Sequence, residues 1–386
     1  MSEARRWPVV SALGVVQILT WGSSFYLPAV LAGPVAEGTG WPLAGVVGGL
    51  SLGLLVAAFA SPHVGAVIHR HGGRPVLALA ALLLAAGLTT LALAPILPVY
   101  LAGWLLLGLG MGCGLYDPAF ATLGRLYGAQ ARTAITTLTL WGGFASTVCW
   151  PLSAFLVAHV GWRGACLAYA GLHLAVTLPL VLLMIPKDPA LPVAEHHQAS
   201  TGPLSPKEWR AFLLFAGVLI LGGAIMSLVS VHLLTLLQAR GVALASAVFY
   251  GVLIGPAQVG ARIVEMSFKG RHHPLWTLTA ALSLVALGLV LLACGLPGVG
   301  AWLVLYGGGN GIYSIARGTV PLALFGPVRY PLVVGRLARP GLVAQALAPP
   351  AGAFVLIHAG ADGLWWLLLA LSIANLGLVG GLWRTR

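Results

Sequence analysis

Four charged residues fall inside long apolar stretches of this sequence: Asp117, Arg262, Glu265 and Arg317. A charge in such a setting is expensive, so each is a functional candidate by default. An arginine keeps its proton at any ordinary pH, and once buried it needs an anion. Two readings stay open. In one, Arg317 and Arg262 clamp an anionic substrate through planar, two-pronged hydrogen bonds. In the other, Arg317 pairs permanently with Asp117, and Arg262 with Glu265 three residues on, as ion pairs that pack helices. Asp117 is the candidate proton carrier, because low dielectric favours a neutral carboxyl unless a cation holds it ionised. A substrate competing for that cation would couple proton to substrate; a static partner role is the alternative. Glu265, near the end of its stretch, reads as a gating contact.

Arg317 lies in Gly309-Asn-Gly-Ile-Tyr-Ser-Ile-Ala-Arg-Gly-Thr-Val-Pro321, which has an earlier echo in Gly112-Cys-Gly-Leu-Tyr-Asp-Pro118. Read at an offset of 197, the first copy carries Asp117 where the second has Ser314. Tyr26, Trp141, Asn310 and Tyr313 are further substrate-binding candidates, being polar or aromatic residues within apolar runs. Gly307, Gly308, Gly309 and Gly311 around Asn310 read as sites of close helix packing. His232 is a candidate titrating residue, His173 a weaker one. His159 and His358 recur at matched positions and read as shared structure.

The elements that must position these residues follow from composition. Of 386 residues, 59% are hydrophobic and 7% charged, with a mean hydropathy of +0.97. A soluble protein carries about 25% charged residues, so this is a polytopic membrane protein. No cleavable leader is expected, because the first apolar run is long enough to remain as a span. The net charge of +12 does not point to nucleic acid, since the Lys and Arg sit in short loops between apolar runs. Cys113, Cys149, Cys166 and Cys294 lack metal-ligand spacing and read as small packing residues. No metal or other cofactor is expected.

Twelve spans are predicted, at 8–32, 42–64, 75–95, 98–125, 132–158, 164–185, 210–236, 242–265, 274–294, 298–325, 336–358 and 364–383. Each is near the ~20 residues a helix needs to cross the hydrocarbon core. Only helices satisfy their own backbone there without closing into a barrel, and barrel-type alternation is absent. With both termini in the cytoplasm, that side holds most of the basic residues, from Arg5 and Arg6 through Arg70, Arg74, Arg125 and Arg132 to Lys269, Arg384 and Arg386. The opposite side holds only Arg163 and Arg240, which sets the orientation.

A polar connection at 186–209, rich in Pro and Ser and containing His196-His197, divides the chain into halves at 1–185 and 210–386. The histidine pair reads as solvated linker. The halves repeat: Pro151, Ala154, Phe155, His159, Gly161 and Gly164 recur as Pro350, Ala353, Phe354, His358, Gly360 and Gly363, a constant offset of 199. Tandem six-span halves point to a transporter with its site near the midplane.

The loop Gly65-Ala-Val-Ile-His-Arg-His-Gly-Gly-Arg-Pro75 resembles the cytoplasmic motif Gly-x-x-x-Asp-Arg-x-Gly-Arg-Arg of the major facilitator superfamily. Gly65, Arg70, Gly72 and Arg74 match, while His69 replaces the Asp and Gly73 an Arg. The resemblance implies a gating role for His69, Arg70 and Arg74, made pH-sensitive by His69; a tight basic loop that only orients the chain is the alternative. Gly161-Trp162-Arg163 is also similar to the family. The resemblance implies an all-α membrane fold of twelve helices in two pseudo-symmetric halves, with the first, fourth, seventh and tenth lining the cavity. Gly255-Pro-Ala-Gln-Val-Gly-Ala-Arg262 resembles the eighth helix of the monocarboxylate and oxalate/formate branches, but Gln258 stands where their Asp-x-x-x-Arg pattern has its acid.

The expected function is secondary transport of a small, carboxylate-like organic anion by alternating access, coupled to protons, by a monomer in the inner membrane. An efflux pump for a hydrophobic or cationic compound is the second reading. A non-translocating, transporter-like receptor is the third. No Ser/His/Asp arrangement or phosphate loop points to an enzyme.

Overall fold

A computed structural model describes residues 3–187, 203–268 and 271–385. The linker's His196-His197, Lys269 and Arg386 lie outside them. The described residues are helical, with no strand among them. In chain order the helices are α1 Glu3–Gly22, α2 Pro28–Thr39, α3 Leu43–His71, α4 Gly73–Leu93, α5 Leu97–Gly114, α6 Tyr116–Tyr127, α7 Ala131–Gly143, α8 Ala145–Leu172 and α9 Leu178–Met184. They continue as α10 Pro206–Gln238, α11 Leu244–Val252, α12 Ile254–Ser267, α13 Pro274–Ala293 and α14 Val299–Trp383.

Each predicted span falls on this helical framework. α14 holds the last three, bent at Gly326 (φ 72°) and Gly360 (φ 66°), and α8 is bent at Gly161 (φ 68°). At these positions a positive φ is tolerated because glycine has no Cβ. Four predicted spans are interrupted: the first over residues 23–27, the fourth at Leu115, the fifth at Phe144 and the eighth at Leu253. Broken helices at membrane depth are tolerated only where protein or a watery cavity takes up the freed backbone groups.

The chain divides into two compact units, Met1–Gly202 with Gly326–Arg339, and Pro203–Phe325 with Pro340–Arg386. The first unit's core includes Leu84, Leu88, Trp104, Leu107, Cys166 and Tyr169. The second packs Leu228, Leu236, Leu289, Leu303, Trp365 and Leu368. Within the first unit, residues 330–339 lie against α3 and α6. A Cβ on Gly65 would stand 2.6 Å from the Pro331 carbonyl oxygen, and one on Gly335 2.6 Å from that of Ser61. Tyr330 is fully buried, and the Arg339 guanidinium sits 4.7 Å from the centre of the Phe59 ring.

The repeat survives as geometry. His159 stacks on Phe155 with ring centres 4.1 Å apart at 31°, and His358 on Phe354 at 4.0 Å and 31°. Each histidine's Nδ1 meets the carbonyl four residues back at 2.8 Å. Arg163 and Arg240 are also matched in use. Arg163 donates to the carbonyls of Ala92 and Ala94, both at 3.2 Å, at the end of α4. Arg240 donates to that of Leu292 at 2.7 Å, at the end of α13. Both place a cation on a helix C-terminus, and both lie over a tryptophan, Trp162 at 4.1 Å and Trp365 at 5.2 Å.

The glycine echo is in a different register from the one its residue types suggest. Gly108 presses on Gly53 of α3, and Gly307 on Ile254 of α12. Gly110 meets Leu84 of α4, and Gly309 meets Val285 of α13. Gly112 meets Ala57, and Gly311 meets Gln258. These pairs run at an offset of 199, the same as the rest of the repeat. The offset of 197 was a coincidence of Gly and Tyr. In the structural register Asp117 corresponds to Ala316, and Arg317 to Pro118.

Candidate functional site

In the second unit the site is built where α12 crosses the first part of α14. The crossing is close because Gly307 and Gly311, four residues apart, carry no side chain. A Cβ on Gly311 would come within 2.4 Å of the Gln258 carbonyl oxygen. The expected packing role of these glycines is the one observed. One turn beyond Gln258, Arg262 is 4% exposed. Its Nε donates to the Gly311 carbonyl at 3.1 Å and to Ser314 Oγ at 3.2 Å. The Ser314 hydroxyl in turn donates to the Gly311 carbonyl at 2.7 Å. Arg262 Nη1 is buried with no hydrogen-bond partner.

Glu265 does not answer Arg262, against the local-pair reading. Its Oε1 accepts from Thr277 Oγ1 at 2.7 Å and pairs with His272 Nε2 at 3.0 Å. The carboxylate therefore lies at the first turn of α13, where a helix N-terminus favours a negative charge. Proximity in sequence suggested one partner, and a helix N-terminus from outside the segment supplied a better one.

Along α14, residues 311–313, 315, 316 and 318–320 are buried, whereas Asn310, Ser314 and Arg317 are half-buried. Spacings of four and three put them on one face. The Asn310 side chain makes no hydrogen bond among the described residues. Tyr313 is turned away from that face. Its hydroxyl donates to the Val218 carbonyl at 3.3 Å and it packs at Gly222, so it belongs to the contact with α10. His232 is buried and meets the Pro349 carbonyl through Nε2 at 3.0 Å.

In the first unit Asp117 occupies the first turn of α6, just past the break at Leu115. From Gly110 to Gly124 every residue is buried except Asp117, which is half-buried. In the same unit the break in the first span carries Phe25 and Tyr26. Trp21 is held by Gln17, whose Oε1 accepts from the indole at 3.0 Å and whose Nε2 donates to the Gly114 carbonyl at 2.7 Å. Trp141 is half-buried against α1 at Gly14. His173 is fully buried in a π-turn, His173–Thr177, and its Nε2 lies 2.7 Å from Ser23 Oγ.

The loop motif has local explanations. The carbonyls of Ile68 and His69, at the end of α3, accept from Arg125 Nη1. His69 is buried, Arg70 exposed and Arg74 half-buried. Gly72 has φ 81°, and a Cβ on Gly73 would fall 1.8 Å from Thr122 Oγ1. That contact explains why no Arg stands at position 73. Sequence reading missed the Ser314–Arg262 contact and the ring cluster around Trp21. Arg262 on one span and a hydroxyl flanked by glycines on another were the available signals, but only the crossing pairs them.

Comparison with known proteins agrees with this geometry. A sequence profile of the Major Facilitator Superfamily matches residues 12–320. Human monocarboxylate transporter 11 is 33% identical over 222 residues, 55% of this chain and 46% of that protein. Rat monocarboxylate transporter 3 is 27% identical over 301 residues, 74% of this chain and 60% of that one. The chain thus spans about half the length of the curated relatives it matches. Among solved structures, the human organic anion transporter MFSD10 superposes with a TM-score of 0.76 at 20% identity, over 98% of this chain and 100% of that one. The fucose transporter FucP gives 0.79 at 14% identity, over 98% of each chain. At those identities the structures establish the fold. Profile, relatives and fold agree: the chain is a multi-pass membrane protein and belongs to the Major Facilitator Superfamily.

Proposed function

We propose that this transporter moves a small, carboxylate-like organic anion across the cytoplasmic membrane by alternating access, coupled to protons. The observation that carries the reading is Arg262. It is a buried guanidinium with no carboxylate partner among the described residues, its Nε fixed by Gly311 and Ser314 and its Nη1 unused. A buried charge without a counter-ion is strongly unfavourable, and an anionic substrate would supply one. The half-buried Asn310 and Arg317 on the adjoining face are further ligand contacts in this reading. Tyr26 and Trp141 of the first unit are kept as candidate substrate contacts, and Tyr313 acts by positioning α14. The matched relatives bear the name monocarboxylate transporter, which agrees with an anion.

With Gln258 where the monocarboxylate pattern has an acid, proton coupling falls to Asp117, the half-buried acid of the otherwise buried stretch from Gly110 to Gly124, with His232 in support. His69, Arg70, Arg74 and Glu265 act in gating. The halves at 1–185 and 210–386, joined by 186–209, are the bodies that rock, with both termini cytoplasmic and the chain working as a monomer. The test is uptake of a carboxylate panel into proteoliposomes. Arg262→Gln removes charged hydrogen bonds of about 1.5–3 kcal/mol and is expected to lower uptake roughly ten- to hundredfold. Unchanged uptake of every carboxylate by that variant would remove the clamp. In Asp117→Asn, a pH gradient should no longer drive uptake, while counterflow persists.

A further inference from the structure

We infer that Thr277 and His272 are positioning residues that hold the Glu265 carboxylate away from Arg262, and that Glu265, once released from them, competes with the transported anion for that guanidinium. The inference rests on the anion reading above and concerns how the same site is kept available. All of its residues belong to the second unit.

A buried guanidinium draws in whatever carboxylate can reach it, because leaving it without a counter-ion is strongly unfavourable. The second unit has three acids, Glu208, Glu265 and Asp362. Glu208 closes the capping box at the start of α10, its Oε2 accepting from the Ser205 amide at 2.8 Å. Asp362 lies 3.8 Å from Arg240. Glu265 is the acid next to the site. It follows Arg262 on α12 by three residues, a spacing at which side chains on one helix are neighbours. Arg262 Nη1 is buried without a hydrogen-bond partner, yet the carboxylate is turned to α13 instead.

What turns it is a closed triangle of hydrogen bonds. Thr277 Oγ1 donates to Glu265 Oε1 at 2.7 Å. His272 Nε2 lies 3.0 Å from the same oxygen and 2.9 Å from Thr277 Oγ1. A carboxylate only accepts, and the threonine proton already points at it, so Nε2 carries a proton and shares it between the two oxygens. The anchor is fixed in place. Thr277 is 2% exposed, and Leu275 and Leu278 beside it are fully buried. His273 Nδ1 accepts from the Leu275 amide at 3.2 Å. Trp383 meets Trp276 edge-on at 4.8 Å and donates to Thr279 Oγ1 at 3.0 Å. The N-terminus of α13 adds a favourable field for the negative charge. Glu265 would have to give up all of these contacts to reach Arg262. The two donors therefore keep Nη1 of the guanidinium for a substrate.

The experiment measures KM and maximal uptake rate in proteoliposomes for acetate, butyrate, benzoate and succinate. It compares wild type with Thr277→Val, Thr277→Ser, His272→Ala and Arg262→Gln, and with Thr277→Val and His272→Ala each combined with Glu265→Gln. Thr277→Val and His272→Ala are each expected to raise KM about three- to tenfold with the maximal rate within about twofold of wild type, since apparent affinity falls with the fraction of carriers whose Arg262 is free. Thr277→Ser, which keeps the hydroxyl, should keep the wild-type KM. Adding Glu265→Gln to either variant should return KM to the wild-type value, because an amide brings no charge to the guanidinium. A merely structural triangle would instead melt lower in the double variants, with KM no better than in the single ones. The two release variants act through different side chains, so either one that folds reads the effect. A wild-type KM in Thr277→Val and His272→Ala, or a raised KM that Glu265→Gln leaves in place, overturns the inference. The anion reading then stands if Arg262→Gln lowers uptake. Unchanged uptake of all four acids by Arg262→Gln, or uptake of none by wild type, overturns the anion reading and this inference with it.

Discussion

Three neighbouring glycines of α14 should respond to alanine in three different ways. At Gly311 a new Cβ would lie 2.4, 2.7 and 2.9 Å from the carbonyl oxygen, Cα and carbonyl carbon of Gln258, all backbone atoms that no rotamer change can move. Restoring ordinary contact requires α12 and α14 to part by about 1 Å, and overpacking of this kind costs about 1–3 kcal/mol. Alanine's helix propensity returns up to about 1 kcal/mol, leaving a net loss of about 1 kcal/mol or somewhat more. The same displacement stretches the 3.1 Å bond from Arg262 Nε to the Gly311 carbonyl beyond hydrogen-bond range, so anion uptake should fall as well. At Gly308 the new Cβ would meet only Ala261 Cβ at 3.5 Å, an ordinary contact. Gly308→Ala should then be neutral or slightly stabilising. At Gly309 it would lie 2.5 Å from the Ala281 carbonyl oxygen, so Gly309→Ala should lose stability while keeping its affinity for anions. Thermal melting of the purified variants followed by size-exclusion chromatography, together with uptake assays, reads both quantities. Gly311→Ala melting at or above wild type, or the same as Gly308→Ala, would refute the close-crossing argument.

Two further outcomes are expected. Gly73→Ala should destabilise the protein by about 2 kcal/mol or more through its collision with Thr122. Thr122→Ala, which removes two of the three colliding atoms, should partly rescue it in a double-mutant cycle read by thermal melting. Arg163→Gln and Arg240→Gln should each lower stability by about 1–2 kcal/mol, as a helix C-terminus loses its cation and a tryptophan its stacked partner. In both variants the uptake KM should stay at the wild-type value.

The spans were legible because a membrane helix must be apolar over a fixed length, and composition alone reports that. The repeat was legible from Pro151, His159 and Gly161 because a proline within a helix, a stacked histidine and a positive φ are each distinctive in residue type. The glycines misled as to register. Gly-x-Gly-x-Tyr matches at 197, but a glycine's identity does not say which neighbour it admits; Leu84 and Val285 do. The reading that paired Glu265 with Arg262 came from the i, i+3 spacing, which is visible in a sequence, whereas the first turn of α13 is not. The helix breaks at residues 23–27 and Leu115 escaped notice because neither contains a charge or a proline to interrupt the apolar run. Gly73 could be read only as a departure from a motif until Thr122 was seen against it.

The welded crossing of α12 and α14 has a thermodynamic consequence. Helices joined through backbone atoms have no slack to flex separately, so Arg262, Ser314 and Gly311 travel as one fixed instrument. On the proposed reading, that instrument offers an anion the same grip whichever face of the membrane it meets. Equal grip on both faces means equal dissociation constants, so loading and release are equally easy from either side. Net flow follows the solute and proton gradients, and the carrier runs in reverse whenever they do.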